Sequence, residues 1–200
     1  MLKKILLTLF LGYTLILSAQ NRDQYVKWKL SGNYSKIKIG NTTADQYSTG
    51  LAVAVAIDEN DVYDSASLYL EPFVNYSFFT KSLFTKLSYQ TYSAGINLKK
   101  HINSYNNKKS FFIFIGPELA FIRWKQILKS GDEYIKIKPD YMINIGLGLF
   151  VTNNIELVAQ YKFGLSKVYG IESLNDEHNI QTLSIGIRLG FNQNWWFRGK

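Results

Sequence analysis

The sequence predicts an all-β fold, an eight-stranded antiparallel up-and-down transmembrane β-barrel. Three observations predict it. Eight segments alternate apolar residues with polar or small ones at period two, the repeat of a strand whose two faces meet different surroundings. Most of them reach or exceed the roughly 9–11 residues that a membrane-crossing strand needs. Past the N-terminal segment, no apolar run is long enough for a membrane helix. A chain that crosses a membrane without helices must close its strands, because lipid satisfies no free backbone group.

The first strand is read over Tyr25 to Ile39, with Trp28, Leu30 and Tyr34 on one face and Lys27, Lys29, Ser31 and Asn33 on the other. The second is Thr49 to Ile57, where Leu51, Val53, Val55 and Ile57 oppose Ala52, Ala54 and Ala56. The third is Ser67 to Phe79, with Leu68, Leu70, Val74, Tyr76 and Phe78 against Ser67, Glu71, Asn75 and Ser77. The fourth runs from about Leu83 to Lys100; Tyr92, Ala94, Ile96 and Leu98 oppose Thr91, Ser93, Gly95, Asn97 and Lys99. The fifth, Phe111 to Trp124, is apolar on both faces. Its expected parity puts Ile113, Ile115, Leu119 and Phe121 outside and Gly116, Glu118 and Ala120 inside. In the sixth, Asp140 to Val151, Ile143, Ile145, Leu147 and Leu149 oppose Asn144, Gly146 and Gly148. The seventh is Ile155 to Val168, with Leu157, Ala159, Tyr161, Phe163 and Leu165 against Glu156, Gln160, Lys162, Gly164 and Ser166. The eighth, about Asn179 to Phe191, ends in the strictest alternation of the chain, LSIGIRLGF.

Alternation also fits a soluble barrel with its apolar face inward. The polar face, however, is rich in Gly, Ala, Ser and Asn, which suits a crowded narrow interior. Aromatics gather near strand ends at Trp28, Tyr34, Phe78, Tyr141, Tyr169 and Phe191, as in the two interfacial girdles of a membrane barrel. Thr152-Asn153-Asn154 reads as a tight hairpin, and Lys125 to Pro139 as the longest loop. The connection around Thr80 to Ser82 is very short, and Asp58 to Ala66 is long. Pro117 within the fifth strand removes a ladder hydrogen bond and is read as a bulge.

The ends of the chain carry address information. Lys3 and Lys4, the apolar run Ile5 to Leu17, and the small residues Ser18 and Ala19 form a secretory signal, cleaved before Gln20. The expected organisation is a signal peptide over 1–19, a short segment over 20–24, the barrel over 25–192 and an aromatic tail over 193–200. With no cysteine, lipid attachment at a cysteine and disulfides are excluded. Cleavage removes two lysines from a net charge of +8. The remaining balance is mildly basic with both signs interspersed, which does not suit a nucleic-acid partner. Ser184, Gly186, Leu189 and Phe191 resemble the C-terminal β-signal of outer-membrane barrels.

FFIFIGPELAFI (Phe111 to Ile122) and IGLGLFVTNNIELVAQYKFGLSKVY (Ile145 to Tyr169) resemble the PorT-like, OmpA/OmpX-type outer-membrane barrel family. The resemblance covers about residues 25 to 192. It implies eight strands, termini in the periplasm and loops outside a Gram-negative-type cell.

No constellation of chemistry stands out. The two histidines, His101 and His178, sit at strand ends and read as solvated. A lipid-A-modifying site could be nominated only from His178, Ser173 and Glu172 or Glu177, and no motif supports it. We therefore expect no enzyme, cofactor or metal. Glu71, Glu118, Glu156, Lys162 and Arg188 point inward by parity and are expected to pair into a polar plug rather than an ion gate. The expected role is structural, or partner binding through outer loops and rims, by a monomeric barrel. Its other partners are outer-membrane lipid and the barrel-insertion machinery. A lipid-modifying enzyme and a small pore are the alternatives.

Overall fold

The computed structural model describes residues 26–57, 68–82, 86–102, 111–127, 131–152, 154–169 and 177–192. The expected signal peptide, the tail and the 58–66 connection lie outside these residues. The strands are β1 (Val26–Ile39), β2 (Thr42–Ala56), β3 (Leu68–Ser82), β4 (Lys86–Ile102), β5 (Phe111–Ile127), β6 (Glu133–Thr152), β7 (Ile155–Tyr169) and β8 (Glu177–Asn192). Each pairs antiparallel with its sequence neighbours, and β1 pairs with β8, so the barrel is closed. We call the end bearing Val26 and Asn192 the near end, and the other the far end.

Register fixes the tilt. A row of paired residues starts at Leu68 and passes through Lys100, Ile113, Leu147, Ala159, Ile185, Tyr34 and Tyr47. It returns to β3 at Phe78, ten residues further along the strand. That stagger accompanies the strand tilt of roughly 35–45° usual for closed barrels.

Over the near part of every strand the apolar face points outward. Leu51, Val74, Ile96, Ile115, Leu147, Ile185 and Leu189 are all exposed, and the parity of β5 is the one the sequence predicts. Trp28 and Phe191 stand exposed at the near end, and Tyr34, Tyr47, Phe78, Tyr92, Phe121 and Tyr141 form a second exposed belt further along. Tyr169 is the exception among the expected girdle aromatics: it packs inward against the far-end core.

Several strand limits differ from expectation, mostly at the far end. β2 begins at Thr42, and Thr80 to Ser82 belong to β3. Most of Lys125 to Pro139 is strand rather than loop. β5 continues to Ile127, β6 starts at Glu133, and the two pair without a break. Pro117 makes no bulge. The β4–β5 ladder skips from Gly95↔Glu118 to Leu98↔Ile115 without changing register, and Pro117 pairs in step with Ile143 on β6. The strand loses a donor there but gains no residue. True register shifts lie between Phe150 and Thr152, beside the tight hairpin, and between Phe163 and Lys167.

The far end is built differently. β2 and β3 pair no further than Tyr47↔Phe78, and β6 and β7 no further than Met142↔Gly164. Beyond these points the wall becomes two four-stranded sheets, β3–β4–β5–β6 and β7–β8–β1–β2. Between them lies an apolar core of Phe79, Tyr89, Ile122 and Trp124 from the first and Ile37, Ile39, Val168 and Ile180 from the second. Lys36 and Lys38 now face outward. The alternation continues along the strand, but inside and outside have exchanged polarity.

Candidate functional site

The near half of the lumen holds a buried charge network. Glu71 on β3 lies 2.5 Å from Lys29 Nζ on β1 and 2.6 Å from Arg188 Nη1 on β8. Glu156 on β7 lies 2.9 Å from Lys29 and 3.0 Å from Lys99 on β4. Lys99 reaches Glu71 at 3.9 Å. Three cations therefore share two carboxylates. The surplus is met by aromatic faces: Lys99 Nζ lies 3.6 Å from the centroid of the Phe112 ring, and the Arg188 guanidinium 4.9 Å from that of Phe114. Ring faces carry the negative lobe of the aromatic quadrupole and attract cations. Both rings have room because the facing residues on β6 are glycines. A Cβ on Gly146 would stand 2.3 Å from Phe114, and one on Gly148 2.3 Å from Phe112.

Further along the axis, Lys162 donates to Glu118 Oε1 at 2.8 Å, and Asn144 Nδ2 donates to Asn97 Oδ1 at 3.1 Å. Two small cavities flank this layer, of about 20 and 30 Å³. The smaller is lined by Asn33, Asn75, Asn97 and Asn144 among others. The larger is lined by several hydroxyls, including Ser35, Ser77, Ser93 and Thr182. Each is polar and just large enough for one or two waters.

All five interior charges named from the sequence are thus buried or nearly so, and each is in an ion pair. Lys29 and Lys99 complete the network. They stand on the predicted polar faces, but only the barrel's stagger brings them against Glu71 and Glu156. Of the residues resembling a β-signal, Ser184 points inward and donates to the Gln160 carbonyl at 3.4 Å. Gly186 lies under the Asn33 amide, 1.9 Å from where a Cβ would stand. Leu189 and Phe191 face outward, Phe191 paired with Trp28 on β1.

His101 is half-buried rather than freely solvated. Its ring stacks on Tyr69 at 4.6 Å and meets Phe150 edge-on at 5.0 Å, within the aromatic cap of the near lumen. His178 is exposed and lies against the β1–β2 turn, where a Cβ on Gly40 would meet its ring at 2.7 Å. Glu177 binds Lys138 at 2.6 Å. Ser173 and Glu172 lie outside the described residues. Among those residues, no three His, Cys, Asp or Glu side chains assemble as metal ligands.

A second feature stands at the far rim. Among the described residues, the β6 segment from Glu133 to Tyr141 is paired on its β5 side alone. Where β7 should continue the ladder, side chains bridge instead. The Ser166 N–H donates to Asp140 Oδ1 at 2.9 Å, and Lys136 and Lys138 each sit 5.2 Å from the Tyr169 ring centroid. Tyr134, Ile135 and Ile137 are exposed, Ile137 by 64%.

No known family profile and no curated protein sequence matches the chain. Solved structures do. The chain is similar in fold to Neisserial surface protein A (TM-score 0.52, 19% identity, 83% of this chain and 97% of that one). It is similar also to Ail, the attachment invasion locus protein of Yersinia pestis (0.55, 16%, 84% and 99%), and to the outer membrane enzyme PagL (0.54, 12%, 80% and 98%). At these identities the likeness establishes the fold: this chain is a closed, eight-stranded, antiparallel β-barrel of the kind found in outer-membrane proteins.

Proposed function

We propose that this is an integral outer-membrane protein of a Gram-negative-type cell, with its termini in the periplasm, whose far rim binds an extended partner segment. The observation that carries the reading is the one-sided pairing of β6 from Glu133 to Tyr141. An open strand edge offers N–H and C=O groups to any chain lying beside it. Here that edge projects beyond the aromatic belt, clear of the apolar band, with Ile135 and Ile137 as exposed side-chain contacts. Both Neisserial surface protein A and Ail are barrels of similar fold, which supports the membrane setting.

The lumen takes no part in transport. Its paired charges and small cavities favour a plug, and the aromatic cluster below and apolar core above favour it further. The described members of the nominated enzymatic group are engaged elsewhere, Glu177 with Lys138 and His178 over the Gly40 turn. Residues 1–19 are a cleaved signal, and Ser184, Gly186, Leu189 and Phe191 guide insertion. The PorT-like assignment rests on the Phe111–Ile122 and Ile145–Tyr169 segments.

The test uses the folded barrel in lipid nanodiscs. Peptides selected from a display library for binding to it should slow hydrogen exchange at the edge-facing amides of Ile135 and Ile137. Peptides that bind while leaving those amides unprotected would overturn the edge-binding reading. The membrane reading has its own check: a mature protein freely soluble in the periplasm would sink it.

A further inference from the structure

Along the eight outward faces between the near rim and the aromatic belt, Lys100 is the one charged side chain among the described residues. It is no terminal residue of the wall. Ile102 and Phe111 lie on its rim side and Leu98 and Ile96 on the other, all exposed. No described residue pairs with its charge. A lysine in that position lies along apolar surface and lifts its ammonium toward the interface, where it meets whatever anion is present.

Lys100 also stands at the end of a groove. Two adjacent rows of paired side chains climb the wall from here. One is Lys100, Ile113, Leu147 and Ala159; the other is Leu98, Ile115, Ile145, Tyr161 and Leu183. Between them is a concave apolar channel of about 590 Å³, floored in part by Gly146. Ala159 is the small member of its row, and its missing bulk widens the channel beside Tyr161. From β4 to β8 the channel crosses four interstrand steps of about 4.8 Å, so it is about 20 Å long. Its width is one gap between side-chain rows, its walls are hydrocarbon, and its one charge sits at the near-end mouth.

We propose that this channel retains one acyl chain of a glycerophospholipid whose phosphate pairs with Lys100. The single cation matches one phosphate, and the single channel matches one chain. Lipid A, with two phosphates and several chains, matches neither. The inference rests on the membrane reading of the barrel and is independent of the edge-binding one.

The experiment is native mass spectrometry of the full barrel released from mild detergent. It is titrated separately with palmitoyl-oleoyl phosphatidylglycerol, the corresponding diacylglycerol, and lipid A. The heat-modifiable gel shift first establishes that each variant is a folded barrel, so a failed membrane reading shows itself before any lipid is added. The wild type should saturate at one phosphatidylglycerol and hold diacylglycerol much more weakly. Lys100→Gln should weaken phosphatidylglycerol retention by roughly tenfold, the scale of one charge-assisted contact. Lys100→Arg should restore it. Ala159→Leu, which fills the channel without touching the charge, should weaken both phosphatidylglycerol and diacylglycerol. Retention unchanged by Lys100→Gln, a preference for lipid A, or adsorption that never saturates would each overturn the proposal.

Discussion

At the near end, the lumen contains Lys29, Glu71, Lys99, Glu156 and Arg188, and the outer wall, Lys100 apart, is dominated by Leu, Ile and Val. At the far end the same strands turn Ile37, Ile39, Phe79, Ile122 and Trp124 inward and Lys36 and Lys38 outward. What surrounds the wall decides what fills it. On the membrane reading, lipid surrounds the near half, so the apolar residues are drawn outward and the polar residues left inside must satisfy one another. Where water is outside, the barrel returns to the rule of soluble proteins and buries its apolar side chains. The ladders report the same boundary. Apart from short gaps beside Pro72 and Pro117, they run around the whole ring in the near half, and they part between β2–β3 and β6–β7 in the far half.

The contrast can be broken most severely from inside. Glu71→Leu removes the carboxylate that Lys29 and Arg188 share, and should cost about 3–5 kcal/mol, the loss usual when a buried charge is stranded. Guanidinium unfolding in lipid vesicles measures it, and an unchanged midpoint would mean that the network is hydrated. From outside, one strand tests both halves. Leu147 and Ile137 are both outward residues of β6, exposed by 59% and 64%. Leu147→Arg should cost about 2–4 kcal/mol if it sits near the bilayer midplane, whereas Ile137→Arg, beyond the belt, should stay within about 0.5 kcal/mol. Equal costs would erase the boundary between the halves. At the far turn, Gly40 has φ of +61° and lies beneath His178. Gly40→Ala should cost about 1–2 kcal/mol through left-handed strain. The smallest effect is expected within the far core. The Tyr89 hydroxyl is buried without a hydrogen-bond partner among the described residues, so Tyr89→Phe should change stability by less than about 1 kcal/mol. A larger loss would show that the hydroxyl has a partner.

Legibility in the sequence follows this boundary. The period-two pattern gives all eight strands and, in the near half, their facing, because the outward face there is continuously apolar. Even β5, apolar on both sides, comes out with Glu118 inside. The far end was harder to read. Lys36-Ile37-Lys38-Ile39 alternates as well as any segment, but alternation does not say which face is in. Glu133 to Asp140 (EYIKIKPD) carries charges and a proline, so it reads as a loop, while in the barrel it pairs along β5 with its other edge free. The lumen was half legible. Parity found the inward charges, but who meets whom depends on the stagger of ten residues around the barrel. That stagger is a property of the closed wall. It brings Lys29 to Glu71 across the lumen, and no single strand encodes it.

The placement of Glu71 has a kinetic consequence. Its two nearest cations come from the first strand and the last, and Arg188 is 117 residues away along the chain. While β1 and β8 are apart, neither the Lys29–Glu71–Arg188 bridge nor the Lys29–Glu156–Lys99 bridge is whole. A curled but open sheet would carry unmated charges on its concave side into the bilayer. Such an intermediate is unstable in lipid and tolerable only in water. Insertion and closure are therefore expected to occur in one concerted step, with the slow rate that long-range contacts impose. The network then acts as a latch, indifferent to the order in which the middle strands arrive and engaged only when the ring is complete.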